Sequence, residues 1–202
     1  MIATRSGRAL AAGALWLALA GAAAAQAPLR VRGTIEQVDG ATLSVKAADG
    51  SLLRLVLADN AVVLAIEKRS LADIKPGVFL GTAAVSQGDG ILRALEVHIF
   101  PEAMRGTGEG HRPWERPGAS MTNATVADTV TGVSGNIVTL RYKGGEQKVM
   151  VAPDTPIVGY APGDRSELKP GKMIVVPGAM KQEDGSLRAP RVSVERTAVP
   201  PI

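Results

Sequence analysis

The chain has 202 residues, 46% of them hydrophobic, with 23 Lys+Arg against 19 Asp+Glu and no Cys. That length allows one or two small domains with buried cores, and the missing thiols exclude disulfide staples, thiolate metal sites and cysteine nucleophiles. A surplus of four positive charges spread along the chain leaves no electrostatic footprint for nucleic acid.

Arg5 and Arg8 give a charged start, Ala9 to Ala20 is an apolar Ala/Leu stretch, and Gly21 to Ala25 supplies small residues of the kind signal peptidase accepts. Residues 1–25 are therefore expected to be a secretory signal peptide cleaved after Ala25, the apolar stretch being short for a membrane span of about 20 residues. Its removal leaves 177 residues with 21 Lys+Arg against 19 Asp+Glu. The expected localisation is periplasmic or secreted, and no later apolar run approaches membrane-spanning length. Without disulfides, stability in such a compartment must come from burial and sheet hydrogen bonds.

After the leader the pattern is that of strands. Small or apolar residues alternate at Val31, Gly33 and Ile35, then at Leu43, Val45 and Ala47, then at Leu53, Leu55 and Leu57, so each set lines one side of a strand. Asp39-Gly40, Asp49-Gly50 and Asp89-Gly90 separate these runs. They predict two-residue type I′ hairpins, in which both turn residues take positive φ. "SLADIKPG" at Ser70–Gly77 predicts a single helical turn, ended by Pro and Gly, before a fourth apolar strand at Val78–Val85.

The same series then returns. "LADNAVV" at Leu57–Val63 reappears as "VAPDTPI" at Val151–Ile157, and "DIKPG" at Asp73–Gly77 as "ELKPG" at Glu167–Gly171, both 94 residues on. "DGILRALEV" at Asp89–Val97 matches "DGSLRAPRV" at Asp184–Val192, and "IEQVDGATLSV" from Ile35 matches "VTGVSGNIVTL" from Val130, both 95 residues on. Ser134-Gly135, Gly144-Gly145 and Asp184-Gly185 supply the turns of the second copy, and a fourth strand starts at Met173. Fixed offsets across four segments point to internal duplication.

The expected fold is all-β: two tandem small OB-like β-barrels of five to six strands each, with an open two-layer sandwich as the alternative. Residues 28–100 form the first barrel repeat and 124–196 the second, with a linker at 101–123 docked between them and a frayed tail at 197–202. Pro177 and Pro190 remove ladder donors and mark edge or bulge positions. "VDGATLSVKAADGS" at Val38–Ser51, followed by "SLADIKPG" and a strand after Asp-Gly, resembles the bacterial domain-of-unknown-function family 5666. That resemblance spans both copies and implies secreted tandem β-barrels, with no catalytic residues to carry over.

Enzyme signatures are missing: there is no G-x-S-x-G elbow, H-E-x-x-H pair or phosphate loop. Asp39, Asp49, Asp89 and Asp184 each precede glycine and read as turn formers. No catalytic residue and no cofactor is assigned. The expected function is a non-catalytic module that binds a protein or envelope partner through the groove between the barrels. The alternative is a small-ligand or metal-ion binder, with zinc or copper held by His98, Glu102, Glu109 and His111. Their spacing fixes no distance, however, and His98, on the face opposite Val97 and Ile99, reads as an exposed strand residue.

Partner contact falls to the segment around "GEGHRPWERPG" at Gly108–Gly118, whose composition is that of a loop. It lies among Phe100, Met104, Arg112 and Trp114, and leaving such large side chains in water forfeits roughly 1.5–3 kcal/mol each. Trp114 is therefore expected to dock into the cleft between the barrels, with Phe100, Met104 and Arg112 as its neighbours at the partner-binding site.

Overall fold

The structure, a computed structural model, describes residues 27–132 and 135–198. The expected signal peptide, Ser134 of the Ser134-Gly135 turn and the last four positions of the tail lie outside the described residues. Among those described there is no α-helix, and no helix long and apolar enough to cross a membrane.

Among the described residues, twelve strands carry the fold. They are β1 (Leu29–Asp39), β2 (Thr42–Ala47), β3 (Leu52–Lys68), β4 (Phe79–Ser86), β5 (Ile91–Ile99), β6 (Gly110–Pro113), β7 (Ala119–Gly132), β8 (Gly135–Tyr142), β9 (Gly145–Val151), β10 (Ile157–Pro162), β11 (Met173–Lys181) and β12 (Leu187–Glu195). Single 3-10 turns stand at Leu71–Asp73, Glu102–Met104 and Arg165–Glu167. The first and last of these correspond to the two predicted turns, each closed by a reciprocal capping box, Ser70 with Asp73 and Asp164 with Glu167.

The strands close into two five-membered circuits, and each circuit draws on both halves of the chain. β1 pairs with β2, β2 with β3, β3 in parallel with β12, β12 with β11, and β11 with β1. β7 pairs with β8, β8 with β9, β9 in parallel with β5, β5 with β4, and β4 with β7. Neither 28–100 nor 124–196 therefore closes a barrel by itself, contrary to expectation. The last two strands of each half have changed places.

The cores record the exchange. The first holds Ile35, Leu43 and Leu55 together with Ile174, Val192 and Val194, and the second holds Leu80 and Val97 together with Val126, Val138 and Leu140. Burying each such side chain contributes about 1.5–3 kcal/mol. Even the plugs are crossed, since Ile74 of the first half enters the second core and Leu168 of the second half enters the first. The Lys-Pro-Gly turns follow them: the Gly77 N–H donates to the carbonyl of Val126, and that of Gly171 to Ile35, each over 2.8 Å.

In the first half the crossing runs along β3. Its 17 residues run without a Gly or Pro and span about 55 Å at strand rise, far enough to carry the chain past its own barrel before the turn at Leu71. Asp59 and Asn60, which could have turned the strand, are taken up where its register with β12 slips, and Arg165 donates to the carbonyls of Ala58 and Asp59 there. Beyond this bulge β3 pairs antiparallel with β10, with Tyr160 opposite Ile66 and Pro162 opposite Leu64. Because Ile66 and Tyr160 are themselves 94 residues apart, this pairing maps onto itself under that offset. A local two-fold axis therefore passes between the barrels.

Three local expectations change or gain detail. Among the described residues no non-glycine has positive φ, so the Asp-Gly turns are not type I′. Around Asp49 and Asp184 only the glycine is left-handed, at φ 84° and 80°, following a turn closed by Gly50 N–H to Ala47 and by Gly185 N–H to Gln182. The aspartates accept from the N–H and hydroxyl of Ser51 and Ser186 instead, which suits their negative φ. Register slips accompany Pro190 and the Pro177–Gly178 stretch, as expected of prolines within a ladder. The segment read as a loop contains a strand, β6, because β8 covers only Thr125–Gly132 of the long β7 and leaves Ser120–Asn123 a free side to pair.

Candidate functional site

A groove lies between the outer faces of the two barrels, on the side where β10 bridges them. The first barrel contributes Arg30, Leu64, Val175, Pro177, Arg191 and Ser193, and the second His98, Met121 and Asn123. The connecting segment closes one wall with Phe100, Met104, Thr107, Arg112 and Trp114. The cavity measures about 160 Å³. All four residues assigned to partner contact, Phe100, Met104, Arg112 and Trp114, line it.

Trp114 sits at the end of the β6 hairpin, half-buried, its backbone N–H donating to the carbonyl of Ala119. The guanidinium carbons of Arg30 and Arg112 lie 5.0 and 5.8 Å from the centre of its ring. Each such cation–π contact contributes about 0.5–1 kcal/mol near a surface. Arg30 stands on β1 and Arg112 on β6, so the indole joins the connector to the first barrel while β6 joins it to the second. Glu115 extends the clasp, its carboxylate 3.9 Å from Arg30. Deeper in, Phe100 stacks on Tyr160 at 5.4 Å and meets His98 edge-on at 5.3 Å and Phe79 at 5.5 Å. Burial pushes the Tyr160 hydroxyl up to about 12.

His98 is not the exposed strand residue expected from alternation: 6% of its surface is accessible. The outer face of β5 is covered because β10 lies beside it, with Val158 opposite His98, and because the first barrel packs over it. The ring fits because its neighbour on β4 is Gly81, where a Cβ would stand 2.1 Å from Nε2 of His98 and 2.5 Å from Oδ1 of Asn123. Burial, with the charges of Arg30 and Arg112, pushes the imidazole down to about 3. The buried Glu96 carboxylate lies 3.8 Å from Nδ1, beyond hydrogen-bond reach, and desolvation dominates the shift. His98 Nδ1 and Asn123 Oδ1 are buried without a hydrogen-bond partner among the described residues.

The four candidate metal ligands do not come together. His98 is enclosed as described, and exposed His111 engages the Thr122 hydroxyl through Nδ1 at 2.8 Å and stacks on Tyr142. Glu102 pairs with Arg105, and Glu109 accepts the N–H of Lys143 at 3.0 Å. Among the described residues no group of three or more His, Asp or Glu side chains could hold a metal ion. The alternation of β5 concealed the role of His98, and Arg30, Arg191, Asn123 and Tyr160 carried no sequence signal that separated them from ordinary strand residues.

Compared with known proteins, the chain matches no family model, no curated protein and no solved structure.

Proposed function

We propose that the protein is a secreted or periplasmic, non-catalytic binding module, built by duplication of an OB-like barrel, that holds a segment of a protein partner in the inter-barrel groove. The observation that carries this reading is the convergence of Arg30 from β1 with Arg112 and Trp114 from the β6 hairpin onto one cavity whose walls come from both barrels. Size favours a polypeptide segment over a free metabolite, because small-molecule sites usually enclose about 300–1,000 Å³ and this one has about 160 Å³. An aromatic residue with arginines around a small pocket is the composition of binding hot spots. The likeness of Val38–Ser51 and its sequel to domain-of-unknown-function family 5666 belongs to the same reading.

Photo-crosslinking in the cells that make the protein tests it. A benzoylphenylalanine at position 114 is expected to give a discrete protein adduct that the same probe at exposed Leu52 does not give. Identical adducts at both positions, or none, would set the groove aside.

A further inference from the structure

We propose that the groove captures the free C-terminal end of its partner chain, with the terminal carboxylate on Arg112 and Arg191 and the last backbone N–H on Oδ1 of Asn123. This deepens the functional reading above and rests on it. Three observations lead there.

The first is charge. Arg30, Arg112 and Arg191 all line the cavity, and Arg191 has no ion pair among the described residues. Arg112 spends one nitrogen on the carbonyl of Gly108 at 2.9 Å, which leaves the rest of its donor fork for a ligand. Guanidinium groups recognise carboxylates through paired, charge-assisted hydrogen bonds.

The second is the unmet acceptor. Asn123 is 5% exposed, donates through its amide nitrogen to Thr107 at 2.9 Å, and is left with a buried Oδ1 that nothing among the described residues satisfies. A buried polar atom without a partner is costly enough that native structures rarely keep one. An occupant that brings a donor removes the cost. Asn123 lines the cavity that also holds the arginines, so an occupant that reaches Oδ1 must present an N–H or O–H close to an anion.

The third is shape. Leu64, Phe100, Met104 and Trp114 form an apolar wall, and about 160 Å³ has room for one residue. A chain terminus alone brings a carboxylate, its own residue's N–H and an apolar side chain within that volume, and capture of a terminal carboxylate is a recurrent mode of peptide recognition.

The test uses the full chain with Trp16→Phe, so that Trp114 is the sole indole. Acetyl-Ala-Ala-Leu with a free carboxylate is expected to shift the Trp114 emission saturably, with its C-terminal amide at least about tenfold weaker. Arg191→Ala and Arg112→Ala, each checked for native circular dichroism, are expected to weaken the free acid by about tenfold to a hundredfold. Should either variant fail to fold, loss of affinity for the free acid with rising salt, absent for the amide, tests the same charge in the unmutated groove. Equal binding of acid and amide would overturn the proposal, as would sodium acetate acting as strongly as the peptide, tighter binding of hexathymidylate, or no saturable shift up to about 10 mM peptide. If the position-114 crosslink succeeds while these peptides fail, the groove reading stands and chain-end capture falls. If both fail, both fall.

Discussion

Gly81 lies directly beneath the imidazole of His98, so closely that a Cβ on residue 81 would stand 2.1 Å from Nε2. The missing side chain is what allows a histidine and Asn123 to share one buried row of the sheet, across β5, β4 and β7. Gly81→Ala is therefore expected to destabilise the protein by about 1–3 kcal/mol, the usual cost of overpacking. Gly178→Ala, where the nearest atom is the Cβ of Pro28 at 3.6 Å, is expected to be close to neutral. Urea titration distinguishes them, and adding His98→Ala to Gly81→Ala should recover part of the loss, because the two sites are coupled.

His98 also ties stability to pH. Its folded pKa, about 3, lies below the unfolded value of about 6.5. The unfolded chain therefore takes up a proton over a range in which the folded chain does not, and stability falls as pH drops below about 6.5 and is fully present above it. The groups facing the ring are Glu96 on its own strand, Arg30 from β1, Arg112 from β6, Asn123 from β7 and Tyr160 from β10. Between pH 7 and pH 5 the His98 contribution amounts to about 2 kcal/mol. Denaturation of the wild type at both pH values, set against His98→Gln, measures it; the variant is expected to lack that part of the slope.

The crossed plugs predict shared rather than separate failure. Ile74 and Leu168 are 3% and 4% exposed, each in the barrel opposite to its own half's first three strands. Ile74→Ala or Leu168→Ala is expected to cost about 2–5 kcal/mol. Because every barrel contains strands from both halves, calorimetry of either variant should show one lowered transition. Two separate transitions, one of them unshifted, would mean that the barrels unfold independently.

Much of this architecture could be read from the residues. Alternation at Val31–Ile35 and Leu43–Ala47, glycines at the hairpins and the returning Lys-Pro-Gly turns locate strands and punctuation, because these are local preferences. Partner choice is different. The strand β12 that pairs with β3 has nearly the same pattern as β5, so the sequence carries no local preference for own-half closure over exchange. β3 carries the first half across, and the second half crosses as well although Pro153 and Pro156 stand between β9 and β10. His98 was hidden for a related reason: a residue on the outer face of a barrel strand is exposed only when nothing packs there, and the packing of one barrel on another leaves no periodic mark. The turn aspartates were legible in position but not in geometry, because their side-chain bonds to Ser51 and Ser186 compete with the two-residue turn.

The exchange of strands is what builds the groove, and disulfide trapping tests it most directly, the more cleanly because the chain has no Cys of its own. Val62 on β3 is directly opposite Arg191 on β12 from the other half. Under own-half closure Val62 would instead face Glu96, which lies 95 residues before Arg191. Paired strands bring Cα atoms within the 4.4–6.8 Å that a disulfide requires. With mild oxidant, Val62→Cys/Arg191→Cys is expected to cross-link rapidly as a monomer, while Val62→Cys/Glu96→Cys stays reduced. The opposite pattern, with 62 joined to 96 and not to 191, would contradict the account.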